Sequence, residues 1–143
     1  MRTWKENLFV SFALFLLTNS LIITSEAILE KAGVIVTNKI PNENITIHCY
    51  SSEDDLGVHN LAYGSSFSWN FRINFFRSTK FYCDISTRHG YGNYGVFTPN
   101  LKRDFCYNQC EWSVHKDGPC VKQRRSEGPS WCQNWKVPQP PSS

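Results

Sequence analysis

The chain has 143 residues, of which 41% are hydrophobic, 15% aromatic and 19% charged, with a formal net charge of +3. So mild an excess does not argue for nucleic-acid binding, which needs a concentrated basic face. Setting aside residues 1–27 leaves 116 residues, which is one small domain, long enough to bury a core of its own.

Residues 1–27 have the layout of a secretory signal peptide. Arg2 and Lys5 precede an apolar run from Leu8 to Thr24, and Ser25-Glu26-Ala27 supplies small residues at the cleavage positions. The alternative is a membrane anchor, but the run is short and Thr18-Asn19-Ser20 interrupts it. The expectation is cleavage after Ala27, with no stable membrane insertion afterwards. Cys49, Cys83, Cys106, Cys110, Cys120 and Cys132 all lie beyond that point. An even number of cysteines in an exported chain predicts up to three disulfides, and spacing alone leaves their pairing open.

The first predicted strand is the β-branched run Val34–Thr37. Pro41-Asn42-Glu43-Asn44 is turn chemistry. In the next run Ile45, Ile47 and Cys49 alternate with Thr46, His48 and Tyr50, and the two runs read together as a hairpin. Residues 51–57 read as a polar loop. Phe67, Trp69, Phe71 and Ile73 alternate with polar residues and predict a central core strand. A further strand covers Thr79–Ile85. Residues 86–95, rich in Gly, His and Tyr, read as an exposed loop. Tyr94–Thr98 could add a strand, Cys110–Val114 alternates again, and Cys120-Val121 is the last short strand. Short strands with polar turns and no helix between them predict an all-β, antiparallel β-sandwich over residues 28–121. Residues 122–143 are polar and Pro-rich and read as a mobile tail, part of which Cys132, Trp131 and Trp135 could staple back.

Several motifs fall in a telling order: Asn38, His48-Cys49, Asp54-Asp55-Leu56-Gly57, Phe67-Ser68-Trp69-Asn70-Phe71 and Thr79-Lys80-Phe81-Tyr82-Cys83, then Arg103-Asp104, Cys110-Glu111-Trp112 and Asp117-Gly118-Pro119-Cys120. This series resembles the plant self-incompatibility S-protein homologue family over residues 33–121. The resemblance implies a secreted plant protein with a β-sandwich fold, no catalytic centre and no cofactor. Founding members of that family act in pistils as ligands that trigger rejection of incompatible pollen. Cys132 and the Pro-rich tail depart from the simplest family pattern.

The residues themselves offer few sites. Asp54 and Asp55 could be a paired-carboxylate or metal corner. The structural alternative is that they hold their loop by bonding backbone N–H groups, with Gly57 supplying positive φ, and Asp104 reads the same way. His48, His59, His89 and His115 are the candidates for acid–base work, but no catalytic motif surrounds them. Cys106 and Cys110 resemble half a zinc clip with no second half. Asn44-Ile45-Thr46 is a glycosylation sequon at a turn, either occupied or unused. Lys122, Arg124 and Arg125 form a basic cluster that reads as a solvated tail, or as a weak attraction to acidic polymers or membrane surfaces. Trp69 and Trp112 read as core. Arg88, Tyr91, Tyr94 and Arg103, within the 86–104 segment, are the candidate contacts for a cell-surface receptor. The expectation is a monomeric, non-enzymatic secreted ligand. The alternative is a secreted defence protein, either a glycan-binding lectin or a nuclease-type hydrolase.

Overall fold

The structure, a computed structural model, describes residues 4–124 and 130–140, with backbone alone for Trp4 and for residues 20–28. It forms two compact units, residues 1–30 and 31–143. The first is helix α1, Trp4–Ile28. Among the described residues no helix is long and apolar enough to cross a membrane. Arg125 and Pro141 lie outside the described residues.

The second unit is a β-sandwich. Its strands are β1 (Lys31–Asn38), β2 (Ile45–Tyr50), β3 (Asp55–Leu61), β4 (Ser66–Arg72), β5 (Phe81–Ser86), β6 (Gly90–Phe97), β7 (Gln109–His115), β8 (Gly118–Val121), β9 (Trp131–Cys132) and β10 (Val137–Pro138). Between β6 and β7 lie a helical turn α2, Pro99–Leu101, and a π-helical turn, Lys102–Cys106. The strands form two five-stranded sheets, β4-β1-β7-β8-β9 and β10-β6-β5-β2-β3. All pairings are antiparallel except β1 with β7.

Alternation creates the core. Val34, Val36, Cys110, Trp112 and Val114 face inward from the first sheet, against Ile45, Ile47, Cys49, Cys83, Ile85 and Val96 of the second. Each is almost fully removed from water, which is the main driving force for the fold. Trp112 is core as expected, and its Nε1 donates to the Val96 carbonyl of the facing sheet at 2.9 Å, so the large ring leaves no orphan donor. Cys49 pairs with Cys83 directly across β2 and β5. Cys120 pairs with Cys132 across β8 and β9. Cys106 closes on Cys110 at the end of the π-helical turn, so the half-clip is a disulfide.

Five expectations change. The runs 34–37 and 45–50 are not a hairpin, because β1 and β2 belong to different sheets. Asn38 explains the crossing. It is fully buried, its Nδ2 donates to the carbonyls of Glu43 and Leu61, and its Oδ1 accepts from Ile40 N. The side chain therefore saturates a bend that carries the chain from one sheet to the other. β4 is an edge strand, not a central one, and Trp69 is only partly buried. Its aromatic face reaches over to the other sheet, with Phe71 4.5 Å from Phe81 and 4.8 Å from Phe97 between ring centroids. Residues 51–57 are not all loop, since β3 starts at Asp55; Gly57 with φ +78° spoils the alternation that would have marked it.

The segment 86–95 is mostly strand β6. Its glycines serve close approach rather than looping. Tyr94 lies over Gly92, where an added Cβ would sit 2.8 Å from the phenol oxygen. Trp135 lies over Gly90, where a Cβ would sit 2.3 Å from the indole. Finally, the sandwich does not stop at 121. Trp135 is 8% exposed. β9 covers the edge of β8 and β10 covers the edge of β6, so one tail segment shields an open edge of each sheet.

Candidate functional site: the β5–β6 turn and the outer face of the second sheet

The outer face of the second sheet is built by side chains that alternate away from the core. Register places Val58, His48, Asp84 and Asn93 in one row across β3, β2, β5 and β6. The next row is Asn60, Thr46, Ser86, Tyr91 and Val137. Between these rows runs an open groove of about 530 Å³, lined by Thr46, His48, Val58, Asp84, Tyr91 and Val137 among others. Val58, Tyr91 and Val137 are exposed.

The polar part of this face is a connected network. His48 Nε2 lies 2.7 Å from Asp55 Oδ1, and its Nδ1 lies 4.0 Å from Asp84. Asn93 Nδ2 donates to Asp84 at 2.9 Å and to the Tyr50 hydroxyl at 2.8 Å. The Lys136 ammonium donates to the Asn93 carbonyl and sits 5.0 Å over the Tyr94 ring. Asp55 Oδ1 also accepts from Gly57 N. That backbone bond, and next the bond to His48, hold the Asp55 carboxyl below its ordinary pKa.

At one end of the face stands the turn from β5 to β6. Thr87 organises it: Thr87 N donates to the Gly90 carbonyl, and Oγ1 accepts from His89 N and Gly90 N. Beneath it lies Glu43, with only 3% of its side chain exposed. Glu43 Oε1 accepts from Arg88 N. Its Oε2 has no hydrogen-bond partner and faces His89 Nε2 at 3.5 Å. The Arg88 side chain projects outward, 78% exposed. A locked backbone thus presents an exposed cation whose Nε stays 4.0 Å from Glu43 Oε1.

The four candidate contact residues do not form one surface. Arg88 and Tyr91 share the turn end of the face. Arg103 lies in the π-helical turn beyond the other end of β6, eight residues or roughly 25 Å away. Its guanidinium is held by Asp104 in two bonds of 2.7 and 2.9 Å. Tyr94 is corrected outright, being 1% exposed. Its hydroxyl donates to the Asn134 carbonyl and accepts from Lys136 N, so it anchors the tail. Burial raises its pKa above the ordinary tyrosine value. The glycines beside it suggested a loop, but they make room for the ring.

Ser51 Oγ, rather than Asp54, takes the backbone N–H groups of Glu53 and Asp54. Asn44 is exposed at the end of its turn. The histidines are dispersed. His59 Nε2 bonds the Leu56 carbonyl while its ring stacks on Phe67, and His115 bonds Ser113. Among the described residues no three metal-ligating side chains converge. Glu43 carries no such signal in sequence, because an acid in a Pro-Asn-Glu-Asn turn looks solvated and nothing local reveals the β5–β6 turn folding over it.

This disulfide-braced pair of five-stranded sheets has the fold of a solved SPH (self-incompatibility protein homologue) structure, one of a widespread family of small, highly stable, secreted plant proteins. The TM-score is 0.59 at 18% identity, over 80% of this chain and 99% of that one. At the level of sequence, the profile of the plant self-incompatibility protein S1 family matches residues 33–135, and the chain belongs to that family. S-protein homolog 29 of Arabidopsis thaliana is 34% identical over 106 residues, 73% of this chain and 78% of its own. S-protein homolog 24 of the same plant is 42% identical over 92 residues, 60% and 59% of the two chains. Self-incompatibility protein S1 of Papaver rhoeas is 33% identical over 87 residues, 59% and 62%.

Proposed function

We propose that this protein is a secreted, non-enzymatic signalling ligand that a cell-surface receptor reads through the β5–β6 turn and the adjoining outer face. The observation that carries this reading is Arg88, exposed on a turn whose backbone is held by Thr87 and the buried Glu43. An ordered loop loses little entropy when it is bound. Arg and Tyr are the residue types that dominate binding hot spots, and Arg88 stands in the β5–β6 turn with Tyr91 near the start of β6. Dispersed histidines support a role without turnover, since a hydrolase requires converging groups. Secretion is supported by the family, by the three disulfides and by the signal-like first 27 residues.

A second reading has one specific support: Tyr91, Asn93 and Tyr50 gather aromatic and amide groups on one exposed face, as a glycan-binding surface would. A single experiment separates the two. Labelled, oxidised protein is applied to intact plant cells beside its Arg88→Ala/Tyr91→Ala variant. The ligand reading expects saturable binding that the variant loses with its melting temperature unchanged. Unchanged binding refutes it, and retention of both proteins on isolated cell-wall polysaccharide favours the glycan reading.

A further inference from the structure

The loop between β4 and β5 carries the most exposed large apolar side chains of the sandwich. Phe75 is 82% exposed and Phe76 is 85% exposed. They occupy the two corner positions of a β-turn closed by Arg77 N donating to the Asn74 carbonyl at 3.0 Å. Corner positions ordinarily take Pro, Asn, Asp or Gly, which assist the bend. Phenylalanine does not assist it, and neither ring is packed into the core.

The exposure is not a loose end. Asn74 N donates to Thr79 Oγ1 at 2.8 Å, Asn74 Nδ2 donates to Ser78 Oγ at 2.9 Å, and Asn74 Oδ1 accepts from Ser78 N at 2.8 Å. Ile73, just before the turn, is buried. The turn therefore holds two rings outward, edge to face, with centroids 5.7 Å apart.

Cations flank the turn. Arg72, Arg77 and Lys80 flank the turn in sequence, and Lys31 of β1 pairs with Arg72. Lys31 and Arg72 share a cleft with Arg124. Acids near this end are Glu53 and Asp54, across a neighbouring cleft from Arg72 and Lys80, and Glu30, next to Lys31 in sequence. Basic groups outnumber them.

We propose that this tip docks the protein on an anionic phospholipid surface, with Phe75 and Phe76 entering the interface and the basic collar meeting the headgroups. A convex apolar point suits a bilayer, which deforms around it, better than a rigid protein groove. Aromatic rings favour the interfacial depth, and basic side chains flanking them gain from anionic headgroups. One small apolar device gives weak, reversible attachment, so both components are needed. The tip stands at the opposite end of β5 from the Arg88 turn, and the inference does not rest on the receptor reading.

The test is vesicle co-sedimentation of the oxidised protein, using phosphatidylcholine vesicles with and without phosphatidylserine. The same N-terminus in every variant cancels any contribution from residues outside the sandwich. Retention should require the anionic lipid, weaken with salt, and fall by about tenfold for each ring removed in Phe75→Ala and Phe76→Ala. A Phe75→Trp variant should in addition shift its emission to the blue on adding anionic vesicles. Equal retention of the double-alanine variant overturns the proposal, as does an unmoved Phe75→Trp spectrum. If soluble polygalacturonate strips wild type and double variant alike, charge alone is responsible and the proposal fails. Loss of cell binding with vesicle retention unchanged would assign the rings to a protein partner and overturn it too.

Discussion

Gly90→Ala tests the tail clasp most directly. Gly90 has ordinary extended backbone, so alanine meets no conformational penalty there. In a strand, away from any clash, the change reduces unfolded-chain entropy and stabilises by about 0.4–1 kcal/mol. Here the added Cβ would lie 2.3 Å from Trp135 Cγ and 2.6 Å from its Cβ. Something must yield, and the backbone of β6 is fixed on both sides by β5 and β10. The indole has to shift, straining its 2.7 Å bond to the Lys116 carbonyl and its edge contact with Tyr94. Overpacking of this kind costs about 1–3 kcal/mol. The ceiling is the cost of losing the indole altogether, about 3 kcal/mol for Trp135→Ala. Once Trp135 is alanine the clash is gone, so Gly90→Ala should turn neutral or mildly stabilising. The assay is urea unfolding of the oxidised protein in a double-mutant cycle, followed by far-UV circular dichroism. The expected coupling is about 2 kcal/mol, with a change of sign for the glycine substitution. Additive effects, or an equal loss from Gly90→Ala in both backgrounds, would refute the claim that Gly90 is there to seat the indole.

Other outcomes follow from the same structure. Paired Cys→Ser replacements should rank by the loop each bridge closes, with separations of 34, 12 and 4 residues. On chain entropy the losses are about 4 kcal/mol for Cys49–Cys83, about 3 for Cys120–Cys132 and about 2 for Cys106–Cys110, read by denaturant titration; a reversed order would count against it. The Asp55 carboxyl is held below 3.8 in the folded protein, so its contribution is present above that pH and lost as pH falls through the folded value. The stability difference between wild type and Asp55→Asn should therefore shrink on acidification below 3.8, and a constant difference would contradict this. The Tyr94 phenol is raised above 10.0 by burial, so its contribution is present below that pH and lost as pH rises through the folded value. Tyr94→Phe should flatten the alkaline limb of the stability curve. Asn44 is exposed, and the protein collected from expressing plant cells should carry a glycan mass that Asn44→Gln removes; a bare polypeptide mass would show the sequon unused.

Residue pattern alone reached much of the sandwich. The alternation of Ile45, Ile47 and Cys49, and of Phe81, Cys83 and Ile85, marks one buried face, because side chains on a pleated strand point to opposite sides in turn. It therefore gave the inward-facing cysteines and the core position of Trp112. The motif series marks the family without reference to the fold. The exposure of Arg88 and Tyr91 matches what their residue types and position suggest. The burial of Glu43 does not, because burial of a turn acid depends on what folds over it.

What the amino-acid order determined by itself was local: strand period, turn chemistry and an even set of cysteines. Which strands neighbour one another, which cysteines meet, and whether a tyrosine faces water were decided only in three dimensions. β1 and β2 are adjacent in sequence yet lie in different sheets, joined by the bend that Asn38 saturates. The glycines of β6 look like loop residues until Tyr94 and Trp135 lie across them. The physical reason is that alternation fixes which side of a strand is apolar, whereas partners are chosen by the burial and hydrogen bonding of the whole chain, through contacts remote in sequence.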